Sequence, residues 1–245
     1  MTRKWNLILL IVVILLVGCG SEKDNVKENK GENHERQETE TIDIDVEQEQ
    51  TDWVANLIVA EETNQILAIA ANGNTAYVSL HNKDEEGIWK EVLSTEASIG
   101  KNGVGKTKEG DGKTPVGIYH FLFGFGIKEN PGTSHEYIKV DDSFYWVDDS
   151  NSQYYNQFVS TNNVVKDWES AEHIVSAGKS YNYVLAMDYN KECVPGLGSA
   201  IFMHCKPTGG AGCVAISEEI MIEMMKMIQP DCVIIIDDET NIYNY

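Results

Sequence analysis

The stretch IFMHCKPTGGAGCVAI, residues 201–216, decides what fold and chemistry to expect of this chain. Its first residues form an apolar run that predicts a buried β-strand ending at His204 and Cys205. Glycines that allow a tight turn follow in the loop: Gly209, Gly210 and Gly212. Because such a turn returns the chain toward the end of the strand, we expect His204 to lie close to the glycine-flanked Cys213.

Short runs of alternating or β-branched residues surround this stretch and predict a mostly β domain. The expected strands lie at residues 54–60, 65–71, 75–80, 88–98, 117–123, 137–140, 183–189, 199–205 and 232–237. The tripeptide NGN at residues 72–74 predicts a hairpin between the second and third of them. One helix is predicted over residues 218–228, with Ser217 as its N-cap and Pro230 beyond its end.

The N-terminus predicts export. Two basic residues precede an apolar run at residues 7–17 that is too short to cross a bilayer comfortably, which indicates a secretion signal. The run ends in LVGC, residues 16–19, which resembles a bacterial lipobox and implies cleavage before Cys19 and lipid on its thiol. The alternative is a plain signal peptide or a short anchor. Lipid on Cys19 would make the membrane a partner and place the protein at the outer face of the bacterial cytoplasmic membrane, facing the cell wall.

The residues after the lipobox are acidic and polar, with too few apolar side chains to form a core. We therefore expect residues 1–18 to be a lipoprotein signal peptide, residues 19–52 a lipidated, disordered tether, and residues 53–245 the folded domain. The formal net charge is −20, and the chain has no arginine after Arg36. Nucleic acid is an unsuitable partner for such a surface, because phosphate binding depends on clustered basic residues.

Four cysteines remain in the predicted domain: Cys193, Cys205, Cys213 and Cys232. Disulfides are natural in an exported protein. A zinc site is disfavoured because His204 and Cys205 are adjacent on a strand and point to opposite faces. The third interpretation is a thiol nucleophile, in which an imidazole takes the thiol proton and lowers the cysteine pKa below its usual value of about 8.5. Residue types and spacing alone leave these alternatives open.

Three motifs resemble the YkuD-type L,D-transpeptidases, in a branch whose motif is shortened. The most specific match is FMH at residues 202–204 followed by AGCVAIS at residues 211–217. The second is GKNGVGKTKEGDGKTPVGIYHF at residues 100–121, similar to the family's stretch ending in Thr-Pro-x-Gly. The third is WVDDSNSQYYNQFV at residues 146–159 with DWESAE at residues 167–172. Together they span roughly residues 98–236.

The resemblance implies a mainly β sandwich or barrel with one or two short helices, acting on peptidoglycan stem peptides without a cofactor or a metal. In the family, a cysteine attacks the carbonyl of the diaminopimelate or other L-residue before a terminal D-alanine. The alanine leaves, and the acyl group passes to an amine. Carried over, Cys213 is the nucleophile, His204 the general base, and the backbone carbonyl of Cys205 supports the histidine. Backbone N–H groups around Gly212 and Cys213 form the oxyanion hole.

The chain departs from the commoner motif of the family, whose second histidine and arginine are missing here. Recognition of a substrate carboxylate is therefore assigned to Lys206 or Lys113, with Tyr155 as a further substrate-binding candidate. The pair Asp148-Asp149 is expected in a solvated loop. Two alternative functions remain: an L,D-carboxypeptidase, in which water replaces the acceptor amine, and a non-catalytic peptidoglycan-binding lipoprotein.

Overall fold

Thirteen strands form two sheets in a computed structural model that describes residues 52–205 and 210–245. The strands are β1 Gln65–Asn72, β2 Thr75–Lys83, β3 Trp89–Ser98, β4 Gly117–Tyr119, β5 Phe121–Gly126, β6 Tyr137–Lys139, β7 Phe144–Val147, β8 Phe158–Ser160, β9 Ala171–His173, β10 Val184–Met187, β11 Phe202–Cys205, β12 Val214–Ile216 and β13 Val233–Asp238. The predicted lipobox, nearly all of the tether, and Lys206 lie outside the described residues.

The large sheet has ten strands in the order β4-β13-β1-β2-β3-β12-β11-β10-β5-β6. The small sheet has three, in the order β8-β7-β9. Among the described residues the helical elements are α1 at Glu218–Met227 and four 3-10 helices: Trp53–Asn56, Ile58–Glu61, Ile174–Tyr181 and Ile242–Asn244. The mainly β expectation is confirmed. No helix in this part of the chain is long and apolar enough to cross a membrane.

The predicted hairpin is present between β1 and β2. Asn72 pairs with Thr75, so two residues form the turn, and Gly73 adopts a φ of 62° that suits glycine. The predicted helix is also confirmed. The hydroxyl of Ser217 accepts a hydrogen bond from the Ile220 N–H at 3.3 Å, which caps the first turn of α1.

The strand predicted at residues 54–60 is wrong. This segment forms two successive 3-10 helices, and Val54, Leu57 and Ala60 are buried at intervals of three residues. They pack with Ile66 of β1 in one hydrophobic cluster. An apolar run this short fits both the two-residue period of a strand and the three-residue period of a 3-10 helix. Which of the two forms depends on the surface against which the run packs.

The core on the two sides of β11 determines where the site lies. Met203 and Cys205 face a cluster that includes the buried methionines of α1. Phe202 faces a second cluster, which contains Trp146 of the small sheet. The small sheet, whose strands of three or four residues were not predicted, thus covers the face of β11 opposite to α1.

Candidate active site

Strands β11 and β12 are parallel neighbours, and their register brings the predicted site residues together. His204 pairs with Ala215, and Met203 pairs with Val214. Since alternate residues of a strand share a face, His204 lies on the same face as Phe202, and Cys213 packs in the same cluster as Phe202. Cys205 points to the other face, where it is buried in the core. His204 and Cys213 therefore both lie on the Phe202 side of β11.

The His204 ring is oriented by two contacts. Its Nδ1 lies 2.6 Å from the Cys205 carbonyl oxygen, the backbone contact that the resemblance implied. With Nδ1 donating to that carbonyl, the proton-free nitrogen of the neutral ring is Nε2. The edge of the ring packs against Tyr181, with centroids 5.4 Å apart. These contacts leave His204 with a nitrogen that can accept a proton.

The Cys213 thiol is 8% exposed and faces the backbone at the start of β11. Its Sγ donates to the Ala200 carbonyl oxygen at 3.1 Å and accepts from the Phe202 N–H at 3.4 Å. Within the described residues no hydrogen bond joins Cys213 to His204. Burial, followed by the negative charge of Glu172, raises the pKa of the Cys213 thiol to about 12.

The expectation of a depressed thiol pKa is therefore wrong for this structure. Burial also lowers the pKa of His204, against the opposing effect of its hydrogen bond to the Cys205 carbonyl. The physical reason is the same for both groups, because an apolar environment disfavours whichever form is charged. At rest the two side chains are a neutral thiol and a neutral imidazole.

The surroundings of residue 212 explain why a glycine precedes Cys213. The φ of Gly212 is 156°, and a Cβ at this position would lie 2.6 Å from the backbone oxygen of Lys113. The Thr114 hydroxyl donates to the Gly212 carbonyl oxygen at 2.8 Å and accepts from the Gly100 N–H at 2.9 Å. The glycine-rich motif at residues 100–121 thus supports the loop that carries Cys213. The sequence predicts a turn that shapes the cleft at residues 111–115, and no pattern in it marks Thr114 as the residue that makes these two bonds.

A cavity of about 290 Å³ lies against the thiol. Its described lining is Lys106, Glu109, Gly110, Asp148, Ser170, Glu172, Ser199, Ala200, Ile201, Ala211, Gly212 and Cys213. The lysine of this lining is Lys106, whereas Lys113 contributes its backbone behind Gly212. The Lys106 side chain is 2% exposed and its ammonium lies 3.0 Å from the Asp111 carboxylate. It is one of four lysines between residues 101 and 113, and no sequence pattern distinguishes it.

Glu109 is held in this cavity by two hydroxyl groups. Its Oε2 accepts from Tyr155 at 2.7 Å and from Ser199 at 2.7 Å. Tyr155 itself is 2% exposed, and its hydroxyl also accepts from the Gly198 N–H at 3.0 Å. The expectation that Tyr155 binds substrate is corrected by this geometry, since the ring is buried behind Glu109 and orients its carboxylate.

Two further carboxylates come from the small sheet. Glu172 of β9 pairs with Trp146 of β7, and its carboxylate accepts a hydrogen bond from the Tyr181 hydroxyl. Burial raises the pKa of Glu172, and the charges of Asp148 and Glu109 act in the same direction. Asp148 directly follows β7 and is partly exposed, but its Oδ1 is buried without a hydrogen-bond partner among the described residues. The prediction of a solvated loop therefore fails for this oxygen.

The competing chemistries are less well supported by the geometry. Cys193, Cys205, Cys213 and Cys232 are all free thiols. The part of the chain that the structure describes holds no group of three His, Cys, Asp or Glu residues suited to a metal ion.

A hydrogen-bonded Ser–His–Asp arrangement exists elsewhere. His81 lies 2.8 Å from the Ser79 hydroxyl and 2.7 Å from the Asp52 carboxylate. Ser79 is only 3% exposed, so substrate has no access to its hydroxyl. This trio instead fastens the start of the domain to β2.

A comparison with protein-family models confirms the resemblance: the model for YkuD, the L,D-transpeptidase catalytic domain, matches residues 57–236. A search of functionally curated proteins gives no match. Solved structures that match include the helical cell shape determining protein Pgp2 from Campylobacter jejuni, at 16% identity and a TM-score of 0.39, covering 71% of this chain and 48% of that one. An L,D-transpeptidase (Yku) from Stackebrandtia nassauensis matches at 10% identity and a TM-score of 0.31, covering 72% and 56%. The chain thus matches about half the length of these structures.

Proposed function

The chain belongs to the YkuD family of L,D-transpeptidase catalytic domains, and we propose that it is a cysteine acyltransferase for peptidoglycan stem peptides. The observation that carries the proposal is the shared strand face of His204 and Cys213, with the His204 ring oriented by the Cys205 carbonyl. A base with a free nitrogen beside a thiol is the arrangement that thiol acyl transfer requires. The cavity against the thiol gives a substrate access to it.

In the first half of the reaction, Cys213 attacks the carbonyl carbon of the residue before the terminal D-alanine. Because thiol and imidazole are both neutral at rest, the proton passes from Sγ to Nε2 of His204 as the S–C bond forms. The C–N bond to D-alanine then breaks, and the imidazolium returns the proton to the leaving amine. A thioester remains on Cys213.

In the second half, an acceptor amine attacks the thioester. His204 takes the proton of that amine, the S–C bond breaks, and the imidazolium returns the proton to Sγ of Cys213, which restores the thiol. Backbone N–H groups at Gly212 and Cys213 are the proposed donors to the tetrahedral oxyanion, as the resemblance implies, and both residues line the cavity. Attack by water in the same step would make the protein an L,D-carboxypeptidase.

Mass spectrometry of the intact protein tests this proposal. After incubation with a disaccharide-tetrapeptide, we expect a mass increase equal to the donor minus alanine, mapped to Cys213. Cys213→Ala and His204→Ala should not show it, while Cys205→Ser should, because only the backbone of that residue has a role. Cross-linked product indicates transpeptidation and free tripeptide indicates hydrolysis. Binding without any adduct or product would favour the non-catalytic wall-binding alternative.

The placement of the domain is proposed from sequence. A signal peptide at residues 1–18 and lipid on Cys19 would hold the protein at the outer face of the membrane, with residues 19–52 as the tether. A chain of this composition and length spans on the order of 30 Å, which would let the domain reach the nearby wall.

A further inference from the structure

The described lining of the cavity beside Cys213 is rich in acidic residues. It contains Glu109, Asp148 and Glu172 against a single cation, Lys106. That cation is already paired with the Asp111 carboxylate. A substrate carboxylate entering this cavity would be repelled by the ionised acids, whereas an ammonium group would be attracted and would favour ionisation of Glu172, whose pKa burial raises.

The three carboxylates are held in position although no described cation compensates them. Tyr155 and Ser199 hold Glu109 by hydrogen bonds, and Tyr181 holds Glu172. One carboxylate oxygen of Asp148, Oδ1, is buried and has no hydrogen-bond partner among the described residues. Leaving such an oxygen unpaired is costly, so the arrangement is suited to a ligand that supplies hydrogen-bond donors and positive charge.

The cavity suits an organic cation better than a metal ion. The described residues contain no group of three or more His, Cys, Asp or Glu side chains that could hold a metal ion, and the acids line a cavity of about 290 Å³ beside the thiol. Ca²⁺ and Mg²⁺ demand several oxygens at a common short distance. A primary ammonium on a flexible side chain has three donors and can reach carboxylates spread around a cavity.

Resting on the proposed function, we propose that Glu109, Asp148 and Glu172 select the acyl donor by its side-chain amine. The preferred donor carries, before its terminal D-alanine, a diamino acid with a free side-chain ammonium and no free side-chain carboxylate. Lysine meets this description, and so does diaminopimelate whose side-chain carboxyl is amidated. The three acids thus argue against the sequence-based expectation that Lys206 or Lys113 recognises a substrate carboxylate.

Calorimetry with the full-length Cys213→Ala variant tests the preference without turnover. The ligands are acetylated tetrapeptides that differ only in the residue before D-alanine: L-lysine, L-norleucine or meso-diaminopimelate. We expect the lysine peptide to bind at least about tenfold more tightly than the other two, as for a charge pair in a desolvated site. Equal affinity for the lysine and norleucine peptides would overturn the proposal.

Substitutions of single cavity side chains test which residues cause the preference for the lysine peptide. Adding Glu172→Gln or Asp148→Asn to the Cys213→Ala chain should bring the lysine-to-norleucine affinity ratio close to one. Glu223→Gln, an equal change of charge at an exposed position of α1, should leave the ratio unchanged. A ratio that survives both cavity substitutions would contradict the assignment.

Thermal unfolding in the absence of ligand separates a role of the acids in ligand binding from a role in stabilising the fold. Because the acids repel one another, Glu172→Gln and Asp148→Asn should melt at a higher temperature than the parent chain. Lower melting temperatures for both would mean that the carboxylates stabilise the fold, which contradicts the proposal.

Kinetics with the wild-type chain distinguish failure of this proposal from failure of the proposed function. Equal rates of Cys213 acylation by lysine and norleucine donors would contradict the proposed donor selectivity but support the proposed acyl transfer. Selective binding of the lysine peptide without any acyl-enzyme would contradict the proposed acyl transfer but support the proposed selectivity. A lysine preference found only among acceptor amines would assign the acids to the acceptor and overturn the donor assignment.

Discussion

The Thr114 hydroxyl donates a hydrogen bond to the Gly212 carbonyl oxygen across 98 residues of sequence. Thr114 is fully buried, and its oxygen also accepts from the Gly100 N–H. One side chain therefore satisfies two backbone groups, one in each of the glycine-rich segments that meet beside Cys213. The position of the nucleophile depends on this contact as well as on β12.

Thr114→Val should destabilise the protein and slow acylation of Cys213. The substitution keeps the shape but leaves the Gly212 carbonyl and the Gly100 N–H without their partner, at a cost of about 1–3 kcal/mol for each buried group. Urea unfolding and the rate of acyl-enzyme formation measure the two effects. Thr114→Ser keeps the hydroxyl and should recover most of both, and a valine variant with normal stability would contradict the role of this bond.

Gly212→Ala should abolish acylation, because the new Cβ would lie 2.6 Å from the backbone oxygen of Lys113 and the loop would have to move. The matched control is Gly87→Ala, since Gly87 also has a positive φ, 84°, but no atom within 4 Å of the added Cβ. That control should cost about 1 kcal/mol of backbone strain and leave acylation unchanged. Similar acylation rates for the two variants would show that the close contact has no effect.

Cys213 should alkylate slowly near neutral pH in the absence of substrate. Burial and the charge of Glu172 hold its pKa at about 12, so the reactive thiolate is scarce. Peptide mapping after a short iodoacetamide pulse should show the partly exposed Cys193 modified first. Glu172→Gln should speed the Cys213 reaction by removing a charge that raises the thiol pKa. Fast labelling of wild-type Cys213 that His204→Ala slows would instead indicate a preformed ion pair.

Glu172 should make the protein less stable as pH rises. Burial raises its folded pKa above the ordinary 4.5, so the folded state holds the proton more tightly than the unfolded state. The stabilisation is complete below the unfolded pKa and is lost as pH rises through the folded pKa. Melting curves of wild type and Glu172→Gln across this range should diverge with increasing pH. Parallel curves would contradict the raised pKa.

Cys19→Ala should abolish lipid attachment, because the thiol of Cys19 is the predicted acceptor at the lipobox. Metabolic labelling with a fatty-acid analogue measures this directly. Cys193→Ser should label like wild type. Continued labelling of the Cys19 variant would exclude the lipoprotein interpretation.

Elements with strong local signals were predictable from sequence. The NGN turn requires a positive φ at Gly73, and Ser217 before an apolar helix satisfies an unpaired N–H, so both devices are independent of the remaining chain. His204 and Cys213 were candidates for a similar reason. Eight residues separate them in the sequence, three of them glycine, and the strands that they belong to or adjoin, β11 and β12, are paired, so the local sequence predicts that the two are close.

The environment of that pair was decided by tertiary structure. Glu109, Asp148 and Glu172 come from separate segments, and only the packing of the small sheet against β11 brings them to one cavity. The thiol pKa was mispredicted for the same reason, since it depends on burial and on a carboxylate 41 residues away in sequence. Sequence by itself determined which groups are able to react, because backbone geometry and side-chain chemistry are local properties. Charge, burial and access depend on long-range packing, which only the folded chain establishes.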